Sequence, residues 1–153
     1  MTRLHETIET ALPIEAAFSY LADFANSQEW DPGVASAERL DSGPVGVGAR
    51  FWLDVRIGGR IAPMEYRISE YDAPRRVVFI GSGSGVSAVD SIGFERTSSG
   101  TRVDYTADIR LAGLMRFVQP FLSGTFARIA RDAAGGMQHQ LDARAARDGM
   151  DRS

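Results

Sequence analysis

Phe51-Trp52-Leu53-Asp54-Val55-Arg56-Ile57-Gly58-Gly59-Arg60-Ile61-Ala62-Pro63-Met64-Glu65-Tyr66 is the stretch whose reading decides the fold. Apolar and polar side chains alternate on both sides of a Gly-Gly pair, the pattern of two half-buried strands joined by a tight turn. With Gly58-Gly59 as a two-residue hairpin loop, Val55 faces Ala62, Leu53 faces Met64 and Phe51 faces Tyr66. Each pair is apolar or aromatic, so one face of this hairpin is built for burial.

Working outward, the period of two holds from Val34 to Leu111, broken by turn signals at Gly43-Pro44, Asp72-Ala73-Pro74, Gly81 to Gly85 and Ser99-Gly100. Six consecutive strands are predicted there, with Gly81 to Gly85 read as a flexible connection. A two-residue loop at Ser99-Gly100 would set Phe94 opposite Tyr105, Ile92 opposite Ala107 and Asp90 opposite Ile109. A further strand is expected over residues 4–12. Pro13 then opens a short helix carrying Ile14, Phe18 and Leu21, and the helical region closes at Trp30-Asp31-Pro32-Gly33.

After Leu111 the period turns helical. Phe126, Ile129, Ala130, Ala133, Met137 and Leu141 share one stripe within a helix expected from Phe121 to Ala146, roughly 39 Å long. Pro120 should interrupt the preceding segment with Leu114, Phe117 and Val118. Strands in sequence followed by a helix give an α+β domain over residues 1–146, with 147–153 as a tail. Seven strands must curl around such a rod, and a curled sheet and a straight rod leave a gap.

Composition removes much chemistry. The chain has 153 residues, 17 basic against 20 acidic, and no cysteine. A domain of this size buries roughly 70% of its unfolded surface and needs no disulfide or metal as support. All the basic residues are arginine, which excludes a Schiff-base lysine, and His5 and His139 are too few for a three-histidine zinc site. A net charge of −3 with dispersed arginines argues against a nucleic-acid surface. Charged residues at the start and no apolar run approaching about 18 residues lead to the expectation of a cytoplasmic protein without membrane insertion.

Pro13-Ile14-Glu15-Ala16-Ala17-Phe18-Ser19-Tyr20-Leu21-Ala22-Asp23-Phe24 with Trp30-Asp31-Pro32, and later Val89-Asp90-Ser91-Ile92-Gly93-Phe94-Glu95 and Thr101-Arg102-Val103-Asp104-Tyr105-Thr106, resemble the SRPBCC (START-like) superfamily, in particular its bacterial polyketide cyclase/dehydrase branch. The resemblance covers nearly the whole chain. It implies the helix-grip fold: a curved seven-stranded antiparallel sheet around a long C-terminal helix, with two short helices after the first strand and a deep hydrophobic cavity. It supplies no shared catalytic motif, since relatives include carriers, sensors and cyclases.

Candidate ligand contacts follow from strand parity. Phe51, Leu53, Tyr66 and Ile68 come from one half of the sheet, and Asp90, Ile92, Phe94 and Tyr105 from the other. Phe121, Phe126 and Met137 are offered from the helical side, unless Phe117, Phe121 and Phe126 fill the hollow themselves. Asp90 is the most informative, because an inward carboxyl without a partner has a raised pKa and can donate to a ligand oxygen. The alternative is an Asp90 near solvent at the strand's beginning, or paired with an arginine or a backbone amide. Tyr66 and Tyr105 suit either a ligand's polar end or ordinary packing. Trp52 has the opposite parity and could mark a homodimer surface.

The leading expectation is a carrier or sensor that binds a small, largely hydrophobic molecule without metal or cofactor. The alternative is a polyketide cyclase/dehydratase acting on a carbonyl compound, with Asp90 as general acid or base and Tyr66 polarising the carbonyl.

Overall fold

In the computed structural model, which describes residues 2–151, the alternating segments form one antiparallel sheet. Its strands are β1 (Thr2–Thr10), β2 (Val34–Arg39), β3 (Arg50–Ile57), β4 (Arg60–Asp72), β5 (Arg76–Gly83), β6 (Val86–Thr97) and β7 (Gly100–Leu111). Their order is β1-β7-β6-β5-β4-β3-β2. Two short helices, α1 (Ile14–Ala22) and α2 (Ser27–Trp30), cross from one edge strand to the other, and α3 (Ser123–Asp151) closes the concave face. The fold is the α+β helix-grip architecture. Bulges at Val34/Ser36 on β2 and Ile68/Glu70 on β4 help it curl.

The Gly58-Gly59 register is as expected, with Phe51 opposite Tyr66, Leu53 opposite Met64 and Val55 opposite Ala62. Both glycines have positive φ, 56° and 81°, as this turn requires. The other hairpin differs. Its loop is Ser98-Ser99, with Thr97 opposite Gly100, so Ile92 faces Tyr105, Phe94 faces Val103 and Asp90 faces Ala107. Gly100 belongs to the strand, where a Cβ would collide with the Thr10 carbonyl of β1. The slip preserves parity, so every side chain keeps its expected face.

The flexible connection expected at Gly81 to Gly85 is largely strand. Only Ser84 and Gly85 turn, with φ of 53° and 74°. Gly81 pairs with Tyr66, and its missing side chain leaves the space that the Tyr66 ring occupies. The first strand ends two residues early because the Thr10 hydroxyl accepts the Leu12 N–H at 3.3 Å while Thr101 Oγ1 donates to the Leu12 carbonyl at 2.7 Å.

The final helix starts after two 3-10 turns, Gly113–Phe117 and Gln119–Leu122, set by Pro120 as anticipated, and it continues unbroken past Ala146 to Asp151. Residues 152 and 153 of the expected tail lie outside the described residues. Phe126, Ala130, Ala133, Met137 and Leu141 are its buried stripe. Gly136 lies against the end of α2, where a Cβ would collide with the Trp30 carbonyl. Close packing is therefore what this glycine serves. Trp52 is 39% exposed on the outer face.

Candidate functional site

Most of the space between sheet and helix is filled. Phe24, just after α1, stacks on Phe79 of β5 with centroids 4.0 Å apart and meets Tyr66 edge-on at 5.1 Å. Phe18 packs against Phe94 and Tyr71 in the same way. The wide hollow anticipated from the mismatch of sheet and rod is therefore reduced, because side chains from the crossing helices enter it. What remains is a partly open chamber of about 80 Å³ at the end where β3, β4, β6 and the beginning of α3 meet. It has room for two or three waters at roughly 30 Å³ each. A larger apolar groove of about 330 Å³ adjoins it, walled by Ile61, Leu111, Met115 and Leu122. Ile57 and Val86 belong to both walls.

The chamber brings together Asp90, Tyr66 and Phe126 from the expected contacts, and adds Asp31, Met64, Ala88 and Ile129. Asp90 lies in mid-strand, 6% exposed, with no arginine and no backbone amide as partner among the described residues. Its Oδ2 accepts from the Tyr105 hydroxyl at 2.9 Å. The observed register makes that bond possible: with Asp90 opposite Ala107, Tyr105 is its diagonal neighbour, within reach of a long aromatic side chain. Phe51, Leu53, Ile68, Ile92, Phe94 and Met137 are buried in the surrounding core and do not line the chamber. Phe121 is placed elsewhere: it is 86% exposed on the second 3-10 turn, because the α-helix expected to begin at Phe121 begins only at Ser123.

Burial dominates the electrostatics. It pushes the Asp90 carboxyl up to about 7, against the opposing pull of the Tyr105 hydrogen bond and with a further push from Asp31 and Asp108. Asp31, partly buried on the chamber wall, is raised to about 6 by desolvation, although its Oδ1 accepts the Gly33 N–H at 2.8 Å. Tyr66 and Tyr105 are both held well above the usual phenol range by burial and by the neighbouring carboxylates. The Tyr66 hydroxyl has as its partner only the Met64 sulfur, at 3.9 Å, among the described residues. Trp30 lies edge-on to Tyr105, with centroids 6.1 Å apart, and its Nε1 is buried without a partner among the described residues.

Chemically, this is an apolar chamber with two carboxyl groups and a weakly bonded phenol at one end. Either carboxyl can donate when protonated or accept when ionised, and both titrate within reach of neutral pH. Asp31 was hidden in the sequence because its Pro-Gly neighbours gave a complete account of it as a helix terminator. Ala88 and Val86 could have been found, since they share the parity of Asp90. Among the described residues no group of three or more His, Asp or Glu is placed to hold a metal ion, and no helix is long and apolar enough to cross a membrane.

Residues 1–142 match a family described as polyketide cyclase / dehydrase and lipid transport. No curated protein matches the sequence. Solved structures share the fold at low identity. A START superfamily protein from Mycobacterium smegmatis superimposes with a TM-score of 0.78 at 14% identity, covering 94% of this chain and 99% of its own. An aromatase/cyclase from Streptomyces sp. R1128 gives 0.74 at 15% identity, covering 95% of this chain and 93% of its own. A protein from Thermus thermophilus gives 0.78 at 16%, covering 93% and 98%.

Proposed function

For a chain that belongs to the polyketide cyclase/dehydrase and lipid transport family, we propose the binding of a small, largely hydrophobic molecule whose polar end enters the chamber and whose apolar body lies along the adjoining groove. The observation that carries this reading is Asp90, a buried carboxyl on the wall of a chamber lined mainly by apolar side chains. A buried polar group with an unshared oxygen facing a cavity is costly as structure and useful as recognition. Burying 300 Å² of ligand at about 25 cal/mol per Å² offers roughly 7 kcal/mol before ordering costs, enough for affinity without covalent chemistry.

The simplest test is calorimetric titration with 1-octanol, a neutral head-and-tail probe. Saturable one-to-one binding that is lost in Ala88→Leu, where the added side chain fills the chamber, is expected. Binding unchanged by Ala88→Leu would overturn the reading, as would no saturable binding of 1-octanol or of octyl probes with charged heads.

A second reading is favoured by the raised pKa of Asp90 together with its bond from Tyr105: a general acid that protonates a substrate carbonyl oxygen in a cyclase or dehydratase step. Here Asp90→Asn should retain substrate binding and abolish turnover. Loss of binding alone, with no turnover by the wild type, would leave the carrier or sensor reading standing.

A further inference from the structure

The chamber has an asymmetry of charge that the binding of a merely apolar molecule does not use. Two carboxyl groups, Asp31 and Asp90, reach it from different elements, the loop after α2 and the middle of β6. The ion pairs formed among the described residues all involve other carboxylates. Arg56, the cation on the chamber wall, directs its Nη1 to the Pro32 carbonyl at 2.8 Å. Asp90 Oδ1 has no hydrogen-bond partner among the described residues.

An independent feature points the same way. Tyr66, as deeply buried as Asp90, lies on the chamber wall in the gap at Gly81, and among the described residues its hydroxyl makes no bond but the long one to sulfur. Aromatic rings beside carboxylates, with unused acceptor oxygens and the wall's Arg56 directed to a backbone carbonyl instead, are the environment that a positively charged nitrogen completes. An ammonium group carries donors for acceptors of this kind, and Asp90, Asp31 and Tyr66 all line the same space of about 80 Å³.

We propose that the molecule bound by this protein carries a protonated amine, seated between Asp90 and Asp31, with its hydrocarbon portion in the groove bordered by Ile61, Met115 and Leu122. This rests on the binding reading above and narrows it to a chemical class: a primary or secondary amine at the end of an apolar chain or ring. Isosteric neutral or anionic heads lack the charge that the two carboxyl groups demand.

The test compares n-octylamine, 1-octanol and octanoate by calorimetry at pH 8, with wild type, Asp90→Asn and Asp31→Asn. The amine should bind at least about tenfold more tightly than the alcohol, with octanoate weakest, as charge-assisted hydrogen bonds imply. Asp90→Asn should bring the amine-to-alcohol ratio close to one, and Asp31→Asn should reduce it. Circular dichroism of each variant establishes that it is folded. An alcohol that binds as tightly as the amine, or an amine preference untouched by both substitutions, overturns the amine assignment and leaves the binding reading intact. If none of the three binds, both fall.

Discussion

Replacing Asp90 with Asn should make the protein more stable, and only above mildly acidic pH. The folded state raises this carboxyl from 3.8 to about 7, so it holds a proton that the unfolded chain has released between those values. The sign follows: the contribution of Asp90 to stability is fully present below about pH 4, declines as pH rises, and is gone above about pH 7. At 1.36 kcal/mol per pH unit the loss approaches about 4 kcal/mol. Asn preserves the shape and can still accept from the Tyr105 hydroxyl, but never has to be ionised. Urea denaturation of both proteins at pH 4 and pH 8 measures the difference. Asp90→Asn should exceed wild type by less than about 1 kcal/mol at pH 4 and by up to about 4 kcal/mol at pH 8, which is about 2 M in midpoint for a slope near 2 kcal/mol/M. A gap that is the same at both pH values, or a less stable variant at pH 8, would refute the claim that burial without a charge partner controls this group.

The remaining predictions concern packing. Gly135→Ala meets open space and should gain about 1 kcal/mol of helix stability, whereas Gly136→Ala drives a methyl into the Trp30 carbonyl and should be net destabilising in the same denaturation assay. Gly81→Ala should displace the Tyr66 ring, costing about 1–3 kcal/mol and altering the tyrosine signals in near-ultraviolet circular dichroism. Phe121→Ser should change the unfolding free energy by no more than a surface substitution does, within about 0.5 kcal/mol, while Phe126→Ala should cost about 3–5 kcal/mol and enlarge the chamber.

The fold was legible because period-two alternation and a Gly-Gly hairpin specify both face and register at β3 and β4. Glycine was a poorer guide where it serves close approach: Gly100 and Gly81 read as turn residues, yet each sits in a strand against a neighbour that excludes a Cβ. Parity alone brought Asp90 inside, and it survived the register slip because the slip was even. It could not reveal the Tyr105–Asp90 bond, which depends on the true register. Nor could it show how far Phe24 and Phe18 penetrate the concave face, since the approach of α1 and the turn after it is a tertiary choice. Phe121 lies outside because the helix expected to begin at Phe121 begins at Ser123, after the 3-10 turn Gln119–Leu122, and Asp31 is hard to read because a loop has no periodicity to give its side chain a face.

Whether the carboxyl-bearing chamber receives the polar end of a ligand is tested most directly by a crystal structure of the n-octylamine complex. The amine nitrogen should lie within hydrogen-bond distance of Asp90 Oδ1, with the alkyl chain running past Ile57 and Val86 into the outer groove. A nitrogen found in solvent, or a chain seated in the groove with no part of the molecule in the chamber, would contradict the account.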